Sequence, residues 1–95
     1  MKPSSHTFRG LNYRILWRHP KGYGSNVYGS CQHPGVKRPT IEIDPRAKGF
    51  SKLNVILDES IHAVLWDLDN DSVAEMSHAI ASLLWKCGYR EIVDD

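Results

Sequence analysis

The spacing of apolar residues changes once along this chain, near Pro45, and that change limits the folds available to it. Before the proline, Tyr13, Ile15 and Trp17 occupy every second position of one segment, and Ile41 and Ile43 do so in another. A period of two is typical of a strand with one buried face. After the proline the period becomes that of an amphipathic helix. The sequence therefore predicts strands first and helices second.

Two helices are predicted after Pro45. Residues 52–66 carry an apolar stripe at about 100° per residue, and Ser51 precedes them as a candidate cap. An acidic turn, DLDND, separates them from a second stripe that ends before Gly88, a residue suited to a left-handed cap. The stripes consist of Leu53, Ile56, Leu57, Ser60, Ile61 and Val64, and of Val73, Met76, Ile80, Leu83, Leu84 and Cys87.

These patterns predict one α+β domain over residues 1–95. Residues 1–50 would form a small two- or three-stranded antiparallel sheet with glycine- and proline-rich loops, with a short strand near residues 27–30. Residues 51–89 would form a two-helix hairpin on that sheet. Ninety-five residues at 41% hydrophobic composition are enough for one modest core.

We expect a cytoplasmic protein. No apolar run is long enough to span a membrane, and the opening MKPSSHTFRG lacks the apolar stretch of a signal peptide. Cys31 and Cys87 stand apart rather than in a CxxC pair, so we expect two free thiols.

The charges are divided unevenly along the chain. Residues 1–52 carry ten Lys/Arg against two Asp/Glu, a net +8, whereas residues 53–95 carry two against nine, a net −7. This division favours folding of one half onto the other and leaves a basic face for an acidic partner. Basic residues interleaved with aromatics also suit nucleic acids, but Tyr13 and Trp17 are needed in the sheet. We therefore expect no nucleic-acid partner.

The string DESIH, residues 58–62, is one residue short of the H-E-x-x-H signature of zinc peptidases. Asp58 and His62 are four residues apart on the predicted helix, so both side chains can reach one ion. Glu59 lies beside them, where a general base takes a proton from water at a metal. A third ligand would come from the acidic turn or the next helix, which offer Asp67, Asp69, Asp71, Glu75 and His78.

The same string also fits an ordinary helix without a metal. Asp58 and Glu59 would then form a solvated face beside a half-buried pair of His62 and Trp66. The acids further along suit the start of the second helix, through its dipole and through a capping box that ends at Glu75. The motif alone leaves both interpretations open.

A longer stretch carries a resemblance. The segments TIEIDPRAKG and KLNVILDESIHAVLWDLDNDSVAEMSHAIASLLWKCGYR resemble small zincin-like, metallopeptidase-related proteins of tailed bacteriophages and prophages. In that family a strand ending in I-D-P precedes a helix with L-x-x-x-I-H-E-x-x-H-A. A D-L-x-E-E-x-V turn and a helix ending in L-W-R-x-G-Y-R follow. The resemblance covers residues 40–90, and residues 1–39 match loosely.

The resemblance implies a minimal zincin-like fold with an altered metal site. By position, His62 matches the second zinc histidine and Glu59 the general base. Asp71 matches the second glutamate of the turn and is the implied third ligand, while Asp58 replaces the first histidine. A carboxylate is a harder metal ligand than an imidazole, so the preference of the site for zinc is lowered. We expect either zinc or another divalent ion here, or a decayed site that binds no metal. The added negative charge also makes water at the ion a weaker acid, which disfavours hydrolysis.

Two functions follow from this resemblance. The first is a divalent-metal-dependent peptidase, with Asp58, His62 and Asp71 as ligands, Glu59 as base and a protein or peptide as substrate. The second is a non-catalytic pseudo-peptidase that binds a host or phage protein in the host cytoplasm. Its predicted anchors are Trp66, Arg18, Tyr23, Tyr28 and Arg46.

Overall fold

The computed structural model describes residues 2–92 and contains four strands followed by two helices. The predicted α+β class and the order of sheet and helical hairpin are confirmed. Within the described residues, neither helix is long and apolar enough to cross a membrane. The elements are β1 (Ser5–Phe8), β2 (Leu11–Leu16), β3 (Gly29–Cys31), β4 (Thr40–Ile43), α1 (Gly49–Val64) and α2 (Asn70–Lys86).

The sheet is mixed and has the order β1-β2-β4-β3, which differs from the two or three antiparallel strands predicted. β1 and β2 form a tight hairpin through Arg9 and Gly10, whose φ angles of 51° and 79° fit a type I′ turn. β1 was missed because SHTF has no apolar alternation. β4 pairs antiparallel with β3 but parallel with β2. This parallel pair requires the long connection of residues 17–39, so no local pattern predicts it.

One face of the sheet packs on α1 and forms the core. Tyr13, Ile15, Ile41 and Ile43 are buried there together with Ala63 of α1. Both predicted inward faces are therefore confirmed. Full burial of an aliphatic side chain contributes roughly 1.5–3 kcal/mol, so this cluster is a main source of apolar stabilisation.

Helix α1 lies between the sheet and α2, and it buries two faces instead of one. Val55, Ile56 and Ala63 pack on the core of the sheet, and Glu59 faces β3. The buried positions of α1 therefore differ from the predicted stripe, because a helix that is covered on both sides has no single apolar face. The other members of the stripe are only partly buried: Leu53, Leu57, Ser60, Ile61 and Val64.

Helix α2 contacts α1 but makes no packing contact with the sheet among the described residues. Its buried positions are Val73, Ser77 and Ala81. The predicted stripe is only partly correct, because Met76, Ile80 and Leu83 are exposed. A helix that packs on one neighbour buries a narrow face, and the rest of its apolar arc stays open to solvent.

The observed helix ends agree with the predicted ones only in part. α1 begins at Gly49 after Lys48, which makes no side-chain cap, so the predicted Ser51 cap is wrong. α2 is capped by Asp69, whose carboxylate accepts hydrogen bonds from both the backbone N–H and the hydroxyl of Ser72. The predicted left-handed end at Gly88 is confirmed, with φ of 93°.

Candidate metal centre

A cleft of about 530 Å³ opens between β3, the second half of α1 and the start of α2. The β3 side supplies the backbone of a sheet edge, whereas the helices supply carboxylates and an imidazole. The cleft therefore combines a potential peptide-binding edge with ionisable groups. Its lining residues are Tyr23, Gly29, Ser30, Cys31, Asp58, Glu59, His62, Trp66, Leu68, Asn70, Asp71 and Ala74.

Three of the predicted site residues, Asp58, Glu59 and His62, form a cluster that could hold a metal ion. One ligand atom from each lies within 4.8 Å of the other two. The His62 Nε2 and Asp58 Oδ2 atoms are 3.6 Å apart, too far for a good hydrogen bond. Two ligands about 2.1 Å from one ion are separated by about 3.4 Å at a tetrahedral angle. The spacing of Asp58 and His62 therefore fits a shared divalent ion.

Glu59 is buried in the wall of the cleft, contrary to the solvated helix face considered from the sequence. Only 6% of it is exposed, and a Cβ added to Gly29 would lie 2.6 Å from its Oε2 atom. Burial, assisted by the negative charge of Asp58, raises the pKa of Glu59 to about 8. The glutamate therefore carries a proton at neutral pH unless a positive charge is placed beside it.

A serine of α2 orients Asp58. The Ser77 hydroxyl lies 3.0 Å from Asp58 Oδ1, within donating distance, and 3.1 Å from the carbonyl oxygen of Ala74. Since Ser77 is fully buried, it can hold Oδ1 and leave Oδ2 directed at His62. Sequence reasoning missed this contact. The only signal was a polar residue between Val73 and Ala81 on one helix face.

Asp71 and Asn70 line the same cleft, at the start of α2. Asp71 is exposed, and its carboxylate does not belong to the cluster formed by Asp58, Glu59 and His62. The structure therefore places Asp71, the implied third ligand, in the same cleft as the cluster but outside ligand distance of it.

Cys31 also lines the cleft, and no pattern in the sequence pointed to it. Burial and the nearby Glu59 raise the pKa of its thiol to about 12. Without a metal ion, Cys31 is therefore a neutral thiol.

The five predicted partner-binding residues separate into two groups. Tyr23 and Trp66 line the cleft, and the Trp66 ring lies 6.5 Å from that of His62. Arg18, Arg46 and Tyr28 instead surround the buried acids Glu42 and Asp44 at the end of β4. Only Tyr23 and Trp66 remain available as anchors in this cleft.

The buried acids Glu42 and Asp44 hold the loop that carries Tyr23. Arg18 donates to Glu42 at 2.7 Å, and Arg46 donates to Asp44 at 2.8 Å while its guanidinium lies over the Tyr28 ring. Hydrogen bonds from Arg46 and His19 hold the pKa of Asp44 well below its usual range. Arg46 also donates to the carbonyl of Ser25, so this network fixes the loop beside the cleft.

No protein-family model, curated protein or solved structure matches this chain. The zincin-like family therefore remains a prediction from the residues quoted above.

Proposed function

We propose that this protein is a divalent-metal-dependent hydrolase of peptidase type that acts on an extended peptide. The observation that carries this proposal is the cluster of Asp58, Glu59 and His62 in a cleft bordered by the edge strand β3. The resemblance of residues 40–90 to zincin-like phage proteins agrees with it.

The edge of β3 supports a peptide as the substrate class. The backbone of Asp44 donates to the carbonyl of Tyr28, and that of Gln32 donates to the carbonyl of Thr40. By the alternation of an antiparallel ladder, the N–H and C=O groups of Gly29 and Cys31 point to the opposite edge. Among residues 2–92 no strand pairs there. An added peptide strand could use these groups and run past the cluster.

Each cluster residue has a distinct proposed role. Asp58 and His62 would hold the ion, Ser77 would orient Asp58, and Asp71 is the proposed third ligand on the opposite wall. A divalent ion would supply the Lewis acidity that amide hydrolysis needs. Positive charge near Glu59 would favour its ionised form. Its carboxylate could then accept a proton from water and pass it to the leaving amine.

The second candidate is a binding module without catalysis. It is favoured by the donor set, because Asp58 replaces a neutral imidazole by a negative ligand and weakens the acidity of water at the ion. Tyr23 and Trp66 would still provide aromatic surface for a bound protein or peptide beside the β3 edge. Both candidates use the same cleft, so they differ in turnover and not in location.

A cleavage assay with a library of internally quenched peptides, in Mn²⁺ or Zn²⁺, tests the proposal. We expect cleavage by the wild type, a loss of roughly 100-fold or more in Glu59→Gln with metal binding retained, and a shift of preference toward Zn²⁺ in Asp58→His. His78→Ala, which removes an exposed histidine of α2, should act like the wild type. Peptide binding without cleavage would support the binding module. Failure to bind either ion or peptide would overturn both candidates.

A further inference from the structure

A second groove, of about 740 Å³, lies at the opposite end of α1 and shares no lining residue with the metal cleft. It is enclosed by the start of α1, the end of α2 and the described part of the C-terminal segment. Apolar and basic side chains both line it, among them Lys48, Lys52, Leu53, Ile56, Trp85 and Arg90.

The groove is strongly basic. Counted over residues 2–92, its lining contains three lysines and one arginine against one acid, Glu91. The first turn of α1 points into the same region, and it contains no acidic residue and no side-chain cap. Backbone N–H groups at a helix start favour an anion nearby. The charge of this groove is therefore complementary to a carboxylate.

Lys52 shows how a carboxylate binds here. Only 7% of this lysine is exposed, and its Nζ atom donates to Glu91 Oε2 at 2.6 Å. Nζ also lies 5.4 Å from the centre of the Trp17 ring. An ammonium has three N–H donors, so one carboxylate contact leaves further capacity. Lys52, with weaker help from Lys2 and Lys48, lowers the pKa of Glu91.

The Glu91 side of this contact is open to solvent. About half of the Glu91 side chain is exposed to solvent, whereas Lys52 is almost covered. The next residue, Ile92, is 85% exposed, and Tyr89 is 65% exposed. A buried ammonium without a partner is costly, so Lys52 favours a carboxylate at this position whichever segment supplies it. The basic side of this pair is thus part of the fold, whereas its acidic side faces solvent, where another carboxylate can reach it.

We propose that this groove binds a peptide segment in which a carboxylate stands next to apolar side chains, and that the segment replaces Glu91 on Lys52. Leu53, Ile56 and Trp85 provide the apolar surface for such a ligand. Glu91 and Ile92 have the same acidic and apolar pattern and act as an internal competitor. This site is independent of the metal cleft.

The test uses fluorescence anisotropy of a labelled peptide, Glu-Ile-Val-Asp-Asp, with the full chain. Glu91→Gln removes the internal competitor, so it should bind the peptide about tenfold more tightly than the wild type. Lys52→Met should weaken binding by tenfold or more, and Lys48→Met should weaken it less. Lys37→Met, which removes an exposed lysine outside the groove, should match the wild type.

With both peptides amidated at the C-terminus, the control peptide Gln-Ile-Val-Asn-Asn carries no carboxylate and should bind weakly to every variant. Equal binding of both peptides, or no gain from Glu91→Gln, would overturn the proposal. So would equal losses from Lys52→Met and Lys37→Met, which would indicate attraction by overall charge. Should Lys52→Met fail to fold, the comparison of Glu91→Gln with the wild type and of Lys48→Met with Lys37→Met still decides the outcome.

Discussion

The two halves of α1 face opposite chemical environments. The first half borders a basic groove with Lys48 and Lys52, and the second half borders an acidic cleft with Asp58 and Glu59. A helix dipole favours acids at the start and bases at the end, which is the reverse of this arrangement. The local energetics of the helix therefore do not account for these charges. The two proposed sites would account for them, because a metal ion beside Asp58 and a carboxylate beside Lys52 would each be attracted by the local charge.

The largest predicted effect is on the pH dependence of stability in the metal-free protein. The pKa of Glu59 is raised to about 8 in the folded chain from an ordinary value of 4.5, so the unfolded chain loses its proton first. The free energy of unfolding should therefore fall as pH rises from 4.5 to 8, by on the order of 4 kcal/mol relative to Glu59→Gln. Urea denaturation at several pH values measures this difference.

Glu75→Gln, which alters an exposed glutamate of α2, is the matched control and should follow the wild type. Added Mn²⁺ or Zn²⁺ should restore part of the stability at high pH, because cation binding favours the charged carboxylate. Parallel pH profiles of the wild type and Glu59→Gln would show that Glu59 is not held in an apolar wall.

The next effect concerns the contact between β3 and α1. Gly29→Ala would place a Cβ atom 2.6 Å from Glu59 Oε2 and 2.7 Å from Val55 Cγ1. We expect a loss of about 2 kcal/mol in the free energy of unfolding and weaker metal binding. In Gly24→Ala the new Cβ meets nothing within 4 Å, so thermal melts should show little change. Similar melting of the two variants would contradict the close approach of Glu59 to β3.

A smaller effect is predicted for the serine that orients Asp58. Ser77→Ala removes the hydroxyl 3.0 Å from Asp58 Oδ1 and should cost about 1 kcal/mol of stability. Metal affinity should fall roughly tenfold, because orienting partners of a ligand affect binding. Isothermal titration calorimetry measures the affinity. Ser51→Ala, at an exposed serine without a capping role, is the control, and equal affinities of the two variants would remove Ser77 from the site.

The smallest effect is expected in the basic groove. Glu91→Gln replaces a half-exposed carboxylate with an amide oxygen that can still accept a hydrogen bond from Lys52, so it should change the free energy of unfolding by about 1 kcal/mol or less. The same urea titrations check this value. A loss greater than about 1.5 kcal/mol would mean that Glu91 is a structural anchor and that the basic groove is not open to another carboxylate.

Features that depend on neighbours in sequence could be predicted. The inward faces of β2 and β4 follow from a period of two, and the closeness of Asp58 to His62 follows from their spacing of four on a helix. The left-handed end at Gly88 is local as well. Each of these needs no knowledge of distant contacts.

Features that depend on long-range packing could not be predicted. The burial of Glu59 requires Gly29, thirty residues earlier, to pass directly over it. The exposed stripe of α2 arises because α1 separates that helix from the sheet. The Lys52 contact joins the start of α1 to Glu91 near the end of the chain. In each case the controlling residue lies in another element, so no window of sequence contains both partners.

The most direct test of the metal site is the stoichiometry of Mn²⁺ or Zn²⁺, measured by native mass spectrometry after exchange into a saturating concentration. We predict one ion per chain for the wild type, none for His62→Ala, and one for both His78→Ala and Lys52→Met. A wild type that binds no ion, with an unchanged melting temperature in either metal, would contradict the assignment of Asp58, Glu59 and His62 as a metal centre.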